Sequence, residues 1–213
     1  MLRRLRFVIQ AILFVSAASA RAADPVSLFD GKSFAGWEGD TRTTWRIEDG
    51  AIVGGSLEKT VPRNEFLCSK KGYKDFELRL KYKLTGTEGF VNGGVQIRSQ
   101  RIPNHHEMIG YQADLGQGFD GALYDESRRN KILAGPPKED LPRIVKKDDW
   151  NDYKIRCEGK RIQLWLNGVK TVDYTEMDEK IPLDGIIGLQ IHGGCKAIVR
   201  FKDIVIEDLS RDK

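Results

Sequence analysis

The ten residues Asp75-Phe76-Glu77-Leu78-Arg79-Leu80-Lys81-Tyr82-Lys83-Leu84 alternate without a break, with Phe76, Leu78, Leu80, Tyr82 and Leu84 on one parity and Glu77, Arg79, Lys81 and Lys83 on the other. Successive side chains of an extended strand point to opposite faces, so this period predicts a strand with one face in a core and one in water. The same period recurs at Trp45–Ile47, Ala51–Val53, Phe66–Cys68, Val95–Gln100, Tyr111–Leu115, Tyr153–Cys157, Ile162–Leu166, Val169–Tyr174, Ile186–His192 and Ile198–Ile206. Leu166-Asn167-Gly168-Val169 joins two of these runs, and Asn-Gly tolerates the positive φ of a type I′ turn, which predicts a tight hairpin. No stretch carries a convincing helical period. Glu126 to Asp149, with Gly135-Pro136-Pro137 and Pro142, reads as a loop holding a turn or two at most. Many short strands in one domain's length predict an all-β fold, an antiparallel two-sheet sandwich of the jelly-roll kind.

The chain opens with a basic cluster (Arg3, Arg4, Arg6), an apolar run from Phe7 to Val15, and the small residues Ala18-Ser19-Ala20-Arg21-Ala22. That order predicts a signal peptide over residues 1–22, cut after Ala20 or Ala22, and a mature domain over 23–213. The apolar run falls short of the ~20 residues that span a bilayer, so no membrane anchor is expected after cleavage. The expected location is periplasmic or secreted. Of the 35 Lys and Arg, four leave with the peptide, so 31 cationic side chains face 31 anionic ones. A neutral chain without a basic stripe has no electrostatic footprint for nucleic acid. Cys68, Cys157 and Cys195 are odd in number and widely spaced, so no cysteine framework holds the fold. Cys157 shares strand parity with Tyr153 and Ile155 and reads as a buried thiol.

The central runs carry unusual polar parities. Gln96, Arg98 and Gln100 oppose Val95 and Ile97, Gln112 and Asp114 oppose Tyr111, Ala113 and Leu115, and Gln190 and His192 oppose Ile187, Leu189 and Ile191. Where Asp75–Leu84 shows only Glu, Arg and Lys, these sets donate and accept in fixed directions, as sugar hydroxyls require. In the last run Val199 and Phe201 share one parity and Ile204 and Ile206 the other, so a β-bulge is expected near Lys202-Asp203, with Arg200 and Lys202 as candidates beside a site. Tyr124 is expected in the cleft and Asp125 in an exposed turn. His105-His106-Glu107 lacks the spacing that sets two imidazoles on one ion and reads as a polar loop.

Several segments together resemble the bacterial 3-keto-disaccharide hydrolase family. They are Leu28-Phe29-Asp30-Gly31-Lys32-Ser33-Phe34-Ala35-Gly36-Trp37, Trp45-Arg46-Ile47-Glu48-Asp49-Gly50-Ala51-Ile52-Val53, Asn92-Gly93-Gly94-Val95-Gln96-Ile97-Arg98, Gly110-Tyr111-Gln112-Ala113-Asp114, Trp150-Asn151-Asp152-Tyr153 with Trp165-Leu166-Asn167-Gly168, and Gly188-Leu189-Gln190-Ile191-His192-Gly193. The likeness covers about Leu28 to Ile206, with Gln112-Ala113-Asp114 where relatives often carry Glu-Val-Gln. It implies a concanavalin A-like jelly roll that cleaves sugars bearing a ketone at C3.

Such a ketone acidifies the C2 proton, so one base and one electrophile suffice for elimination, without carboxylates flanking the bond. His192 or Asp114 is the expected base, and Arg98, with Lys202, the expected cation at the enolate oxygen. Gln96, Gln112, Gln190, Tyr124 and Lys202 are the expected substrate-binding residues. No cofactor is expected, with a metal left open, and the expected partners are a carbohydrate substrate and an oxidoreductase that supplies the 3-keto sugar. The rival readings are a non-catalytic carbohydrate-binding module and an extracellular scaffold domain. A binding module presents exposed aromatics for stacking on sugar faces. Trp45, Trp150 and Trp165 are expected to be mostly packed, which favours an enzyme.

Overall fold

A computed structural model describes residues 24–210, and the predicted signal peptide lies outside the described residues. The larger of two sheets holds β1 (Val26–Ser27), β3 (Trp45–Glu48), β4 (Ala51–Ser56), β6 (Phe76–Gly89), β11 (Asn151–Glu158), β12 (Arg161–Leu166), β13 (Val169–Thr175) and β15 (Cys195–Asp208). The other holds β2 (Trp37–Glu38), β5 (Glu65–Tyr73), β7 (Gly93–Arg101), β8 (Met108–Leu115), β9 (Leu123–Glu126), β10 (Lys131–Ala134) and β14 (Gly185–Ile191). The orders are β13-β12-β11-β6-β15-β4-β3, with β1 also on β15, and β10-β9-β8-β7-β14-β5-β2. Every pairing is antiparallel, so the expected jelly-roll sandwich is the fold found.

The alternation read at Asp75–Leu84 is the alternation of burial from Leu78 to Lys83, whereas Glu77 is buried too, paired with Arg79 and Arg156, and Leu84 is only half-buried. Phe76, Leu78, Leu80 and Tyr82 of β6 join Tyr153, Ile155 and Cys157 of β11 in one core, facing Val95, Ile97, Tyr111 and Leu189 of the second sheet. The hairpin is also as expected: Leu166 pairs with Val169, and Asn167 and Gly168 take φ of 49° and 83°. All three cysteines are buried and unpaired, and burial pushes the Cys68 and Cys157 thiols up to about 12, which leaves them inert.

Three expectations are corrected. The segment after Glu126 is not all loop: β10 forms there, followed by a 3₁₀ turn at Lys138–Asp140 and α1 (Leu141–Ile144), elements too short to show a period. Trp45 is buried, whereas Trp150 and Trp165 are only half-buried, with Lys202 and Lys154 over their rings at 4.2 and 3.8 Å. Asp125 is fully buried rather than in an exposed turn, because it shares the core-facing parity of its partner Tyr111 and is paired there with Arg128 and Arg129.

Candidate active site

Residues directly opposite one another on adjacent strands share a face. Gln112 lies between Gln96 and Tyr124, Gly94 lies between Asp114 and Gln190, and Glu126 follows Tyr124 by two residues. The face of the smaller sheet turned away from the core therefore gathers Gln96, Gln112, Asp114, Tyr124, Glu126 and Gln190. Gly94 leaves the floor open. A Cβ there would stand 2.4 Å from Gln112 Cδ, so the Gln112 side chain lies across the glycine on its way to Asp114.

A cavity of about 180 Å³ opens over this face, lined by Asn64, Phe90, Asn92, Gln112, Asp114, Phe119, Tyr124, Glu126 and His192. A larger one, of about 700 Å³, lies across the loops carrying Val91 and Gln117 to Asp120, and has mostly apolar walls and lysines. Size favours the larger; the chemistry lies in the smaller, where convergent polar groups and displaced carboxyl pKa values meet.

A line of donors runs along the floor toward Asp114. Ser99 Oγ donates to Gln96 Oε1 over 2.7 Å, Gln96 Nε2 to Gln112 Oε1 over 2.8 Å, and Gln112 Nε2 to Asp114 Oδ1 over 2.7 Å. Asp114 is 4% exposed, and burial pushes its carboxyl up to about 8, with Glu126 and Asp120 nearby adding to the shift against the bond from Gln112. Glu126 is pushed up to about 7 by burial and by the charges of Glu107 and Asp125. At neutral pH Asp114 is thus protonated and Glu126 titrates.

His192, one residue past β14, packs its ring edge-on to Phe90 at 4.8 Å. Its Nδ1 sits 2.6 Å from Gly193 O. A carbonyl only accepts, so this contact assigns the proton to Nδ1 and leaves Nε2 of the neutral ring with a free lone pair. Phe90 and Phe119 meet edge-to-face at 5.8 Å on the cavity wall.

The structure brings His192, Asp114, Gln112 and Tyr124 together as expected. Gln96 stands one layer behind, on the face but not on the cavity. Gln190 is fully buried on the same face, and neither its Nε2 nor its Oε1 has a partner.

Arg98 does not join them. The strand slips register after Ile97, Arg98 takes φ of 47°, and its guanidinium turns away to Lys74 O at 2.8 Å, Gly159 O at 2.7 Å and Asp75 Oδ1 at 3.0 Å. Its ion-pair partner is Asp75, and its side chain is wholly buried. Gln100 is carried off the polar parity by the same slip and pairs with Ile109. The bulge expected at Lys202-Asp203 is present, with the register shifting before Val205 and Asp203 at φ 52°. It lies in the other sheet, however, so Arg200 and Lys202 sit on that sheet's outer side and Lys202 rests on Trp150.

Asn64, Asn92, Phe90, Phe119 and Glu126 line the cavity without having been singled out as site residues. Glu126 has the parity of Tyr124, a signal that could have found it; the others stand in loops, where no period marks them.

The polar face of this jelly roll closes into a small pocket holding one protonated carboxyl, one that titrates near neutrality, and a histidine. The chain belongs to the 3-keto-alpha-glucoside-1,2-lyase-like domain family, whose model matches residues 24–207. Among solved structures it is similar to a protein of Parabacteroides distasonis assigned as a glycosyl hydrolase, at 21% identity and TM-score 0.64, covering 87% of this chain and 94% of that one. It is similar as well to the carbohydrate-binding module CBM66 of Bacillus subtilis, at 18% identity and TM-score 0.62, covering 81% of this chain and 96% of that one. At these identities the likeness establishes the fold alone. No curated protein is similar enough to the chain to count as a match.

Proposed function

We propose that this protein cleaves glycosides whose sugar carries a ketone at C3, by elimination across C1 and C2. His192 Nε2 takes the C2 proton, and the electron pair moves onto the ketone oxygen as an enolate. Protonated Asp114 donates a hydrogen bond to that oxygen in place of the cation first expected from Arg98, a role open to a carboxylic acid kept neutral by burial. The enolate then expels the glycosidic oxygen from C1, and Glu126 gives it a proton. The products are a 1,2-unsaturated 3-keto sugar and the free aglycone alcohol. His192 and Glu126 recover their starting states by proton exchange with water.

The observation that carries this reading is the pair of carboxyls, at about 8 and about 7, sharing one cavity with a histidine whose Nδ1 is committed. The test is to incubate the mature chain with a 3-keto-glycoside and with its unoxidised parent. Release of aglycone together with the 1,2-unsaturated 3-keto sugar from the first alone supports elimination, and release from neither sinks it.

A carbohydrate-binding module is the second reading, favoured by Phe90, which is 38% exposed and meets Phe119 at the cavity wall. Binding of the unoxidised glycoside by a chain that cleaves nothing would move that reading ahead. The chain is proposed to act after export, beside an oxidoreductase that installs the ketone. Intact mass of the exported chain tests the first part, since a product still beginning at Met1 contradicts it.

A further inference from the structure

Glu107 does not line the cavity over the polar face, and the loop His105-His106-Glu107 has no part in the elimination, yet the loop is built around it. The Glu107 N–H donates to His105 Nδ1 at 3.1 Å, its carboxylate lies 3.2 Å from His106 Nε2, and the two imidazoles stack at 4.4 Å. The carboxylate then accepts from Asn64 Nδ2 at 3.0 and 3.3 Å. A carboxylate only accepts, so the Asn64 amide is fixed with its oxygen away from Glu107. That oxygen accepts the Gly193 N–H at 2.8 Å, and Gly193 O in turn holds His192 Nδ1. No side chain fits at Gly193, where a Cβ would stand 2.5 Å from the Arg63 main chain.

We propose that Glu107 is a positioning residue that acts through Asn64 and the Gly193 main chain to hold His192 in its Nδ1–H tautomer. This gives the His105-His106-Glu107 motif a role, and its catalytic consequence rests on the reading of His192 as the base. With Glu107 in place, Asn64 has one orientation and Gly193 one anchor; without it, the amide is free to turn its donor toward the Gly193 N–H. The carbonyl has a second restraint, because the Gly193–Gly194 peptide donates its own N–H to Val61 O at 2.7 Å. Loss of Glu107 therefore loosens the histidine rather than releasing it. A remote change that lets a reacting group drift by about 1 Å costs up to roughly a hundredfold in activity.

The test is nitrogen-15 NMR of histidine-labelled protein at alkaline pH, where imidazoles are neutral; the chain has three histidines, and His192→Ala assigns the signal. Parent and Glu107→Gln, which keeps an acceptor for Asn64, should show His192 as Nδ1–H. Glu107→Ala should shift it toward the Nε2–H form that free imidazole prefers, and should lower kcat by up to roughly a hundredfold with KM little changed. Should Glu107→Ala fail to fold, Asn64→Ala removes the same link and is read the same way. A His192 that stays Nδ1–H in the Ala variant, or is Nε2–H in the parent, overturns the proposal. Tautomers that shift as expected in a protein that cleaves no 3-keto-glycoside leave the tether standing and overturn the elimination instead.

Discussion

Gln112 donates to Asp114 at Oδ1, and burial keeps the Asp114 carboxyl protonated through neutrality. With Oδ1 occupied as an acceptor, the proton of the neutral acid sits on Oδ2. The donor line from Ser99 thus ends in a hydroxyl, and Asp114 offers a substrate a hydrogen bond rather than a charge.

Asp114→Asn keeps that pattern, with Oδ1 accepting from Gln112 and Nδ2 donating where the hydroxyl did. The variant is expected to retain kcat within about tenfold at pH 7, whereas Asp114→Ala loses roughly 10²-fold or more. A loss in the Asn variant as deep as in the Ala variant would reassign Asp114 as the base. Stability separates the variants too. The folded pKa lies above the unfolded one, so the contribution of Asp114 is present below about 4 and is lost as pH rises toward about 8. Thermal melts across that window should show parent Tm falling relative to Asp114→Asn, by a few degrees at the alkaline end.

Glu126 must hold a proton to deliver one, and its carboxyl titrates at about 7. The kcat profile of the parent is expected to fall above that pH. Glu126→Gln cannot supply the proton, so it should lose roughly 10²-fold and move the limb up toward about 8, where Asp114 loses its proton. A limb that persists unchanged in the Gln variant would belong to another group.

Arg98→Met should unfold more easily without losing chemistry. It strips donors from Lys74 O and Gly159 O and leaves Asp75 without its cation. The expected cost is about 2–4 kcal/mol, on the order of 10 °C in Tm, with activity of the folded fraction at the parent level. Loss of activity with an unchanged melt would return Arg98 to the site.

At the β12–β13 turn, glycine should be the better replacement for Asn167. Either Gly or Ala forfeits the bonds from Asn167 Nδ2 to Ile144 O and Asn151 Oδ1, but only Ala must also hold φ near 49°. Asn167→Ala is expected to be less stable than Asn167→Gly by about 1 kcal/mol in urea melts. Equal stability would mean that the turn changes conformation in the variants.

The fold was legible because Phe76 to Leu84 and its fellow runs have two unlike faces, and the pleat turns most of that difference into burial, with Glu77, held by two arginines, as an exception. The same parity found Gln112, Asp114 and His192. It failed at Arg98, where a left-handed residue breaks the alternation with no glycine to mark it. It failed at Lys202 for a different reason: the bulge is local, but which sheet β15 joins is settled by pairings with β6 and β4, more than a hundred residues away in sequence. Asn64, Phe90 and Phe119 reach the cavity from loops, where position depends on the rest of the fold.

β15 is the last strand among the described residues, yet it lies inside its sheet between β6 and β4 and also carries β1. Without residues 195–208 the larger sheet is two unjoined pieces, β13-β12-β11-β6 and β4-β3, so its closure depends on contacts of long sequence separation. A chain lacking that seam would expose the edges of β6 and β4, rows of unpaired N–H and C=O groups open to pairing with another chain.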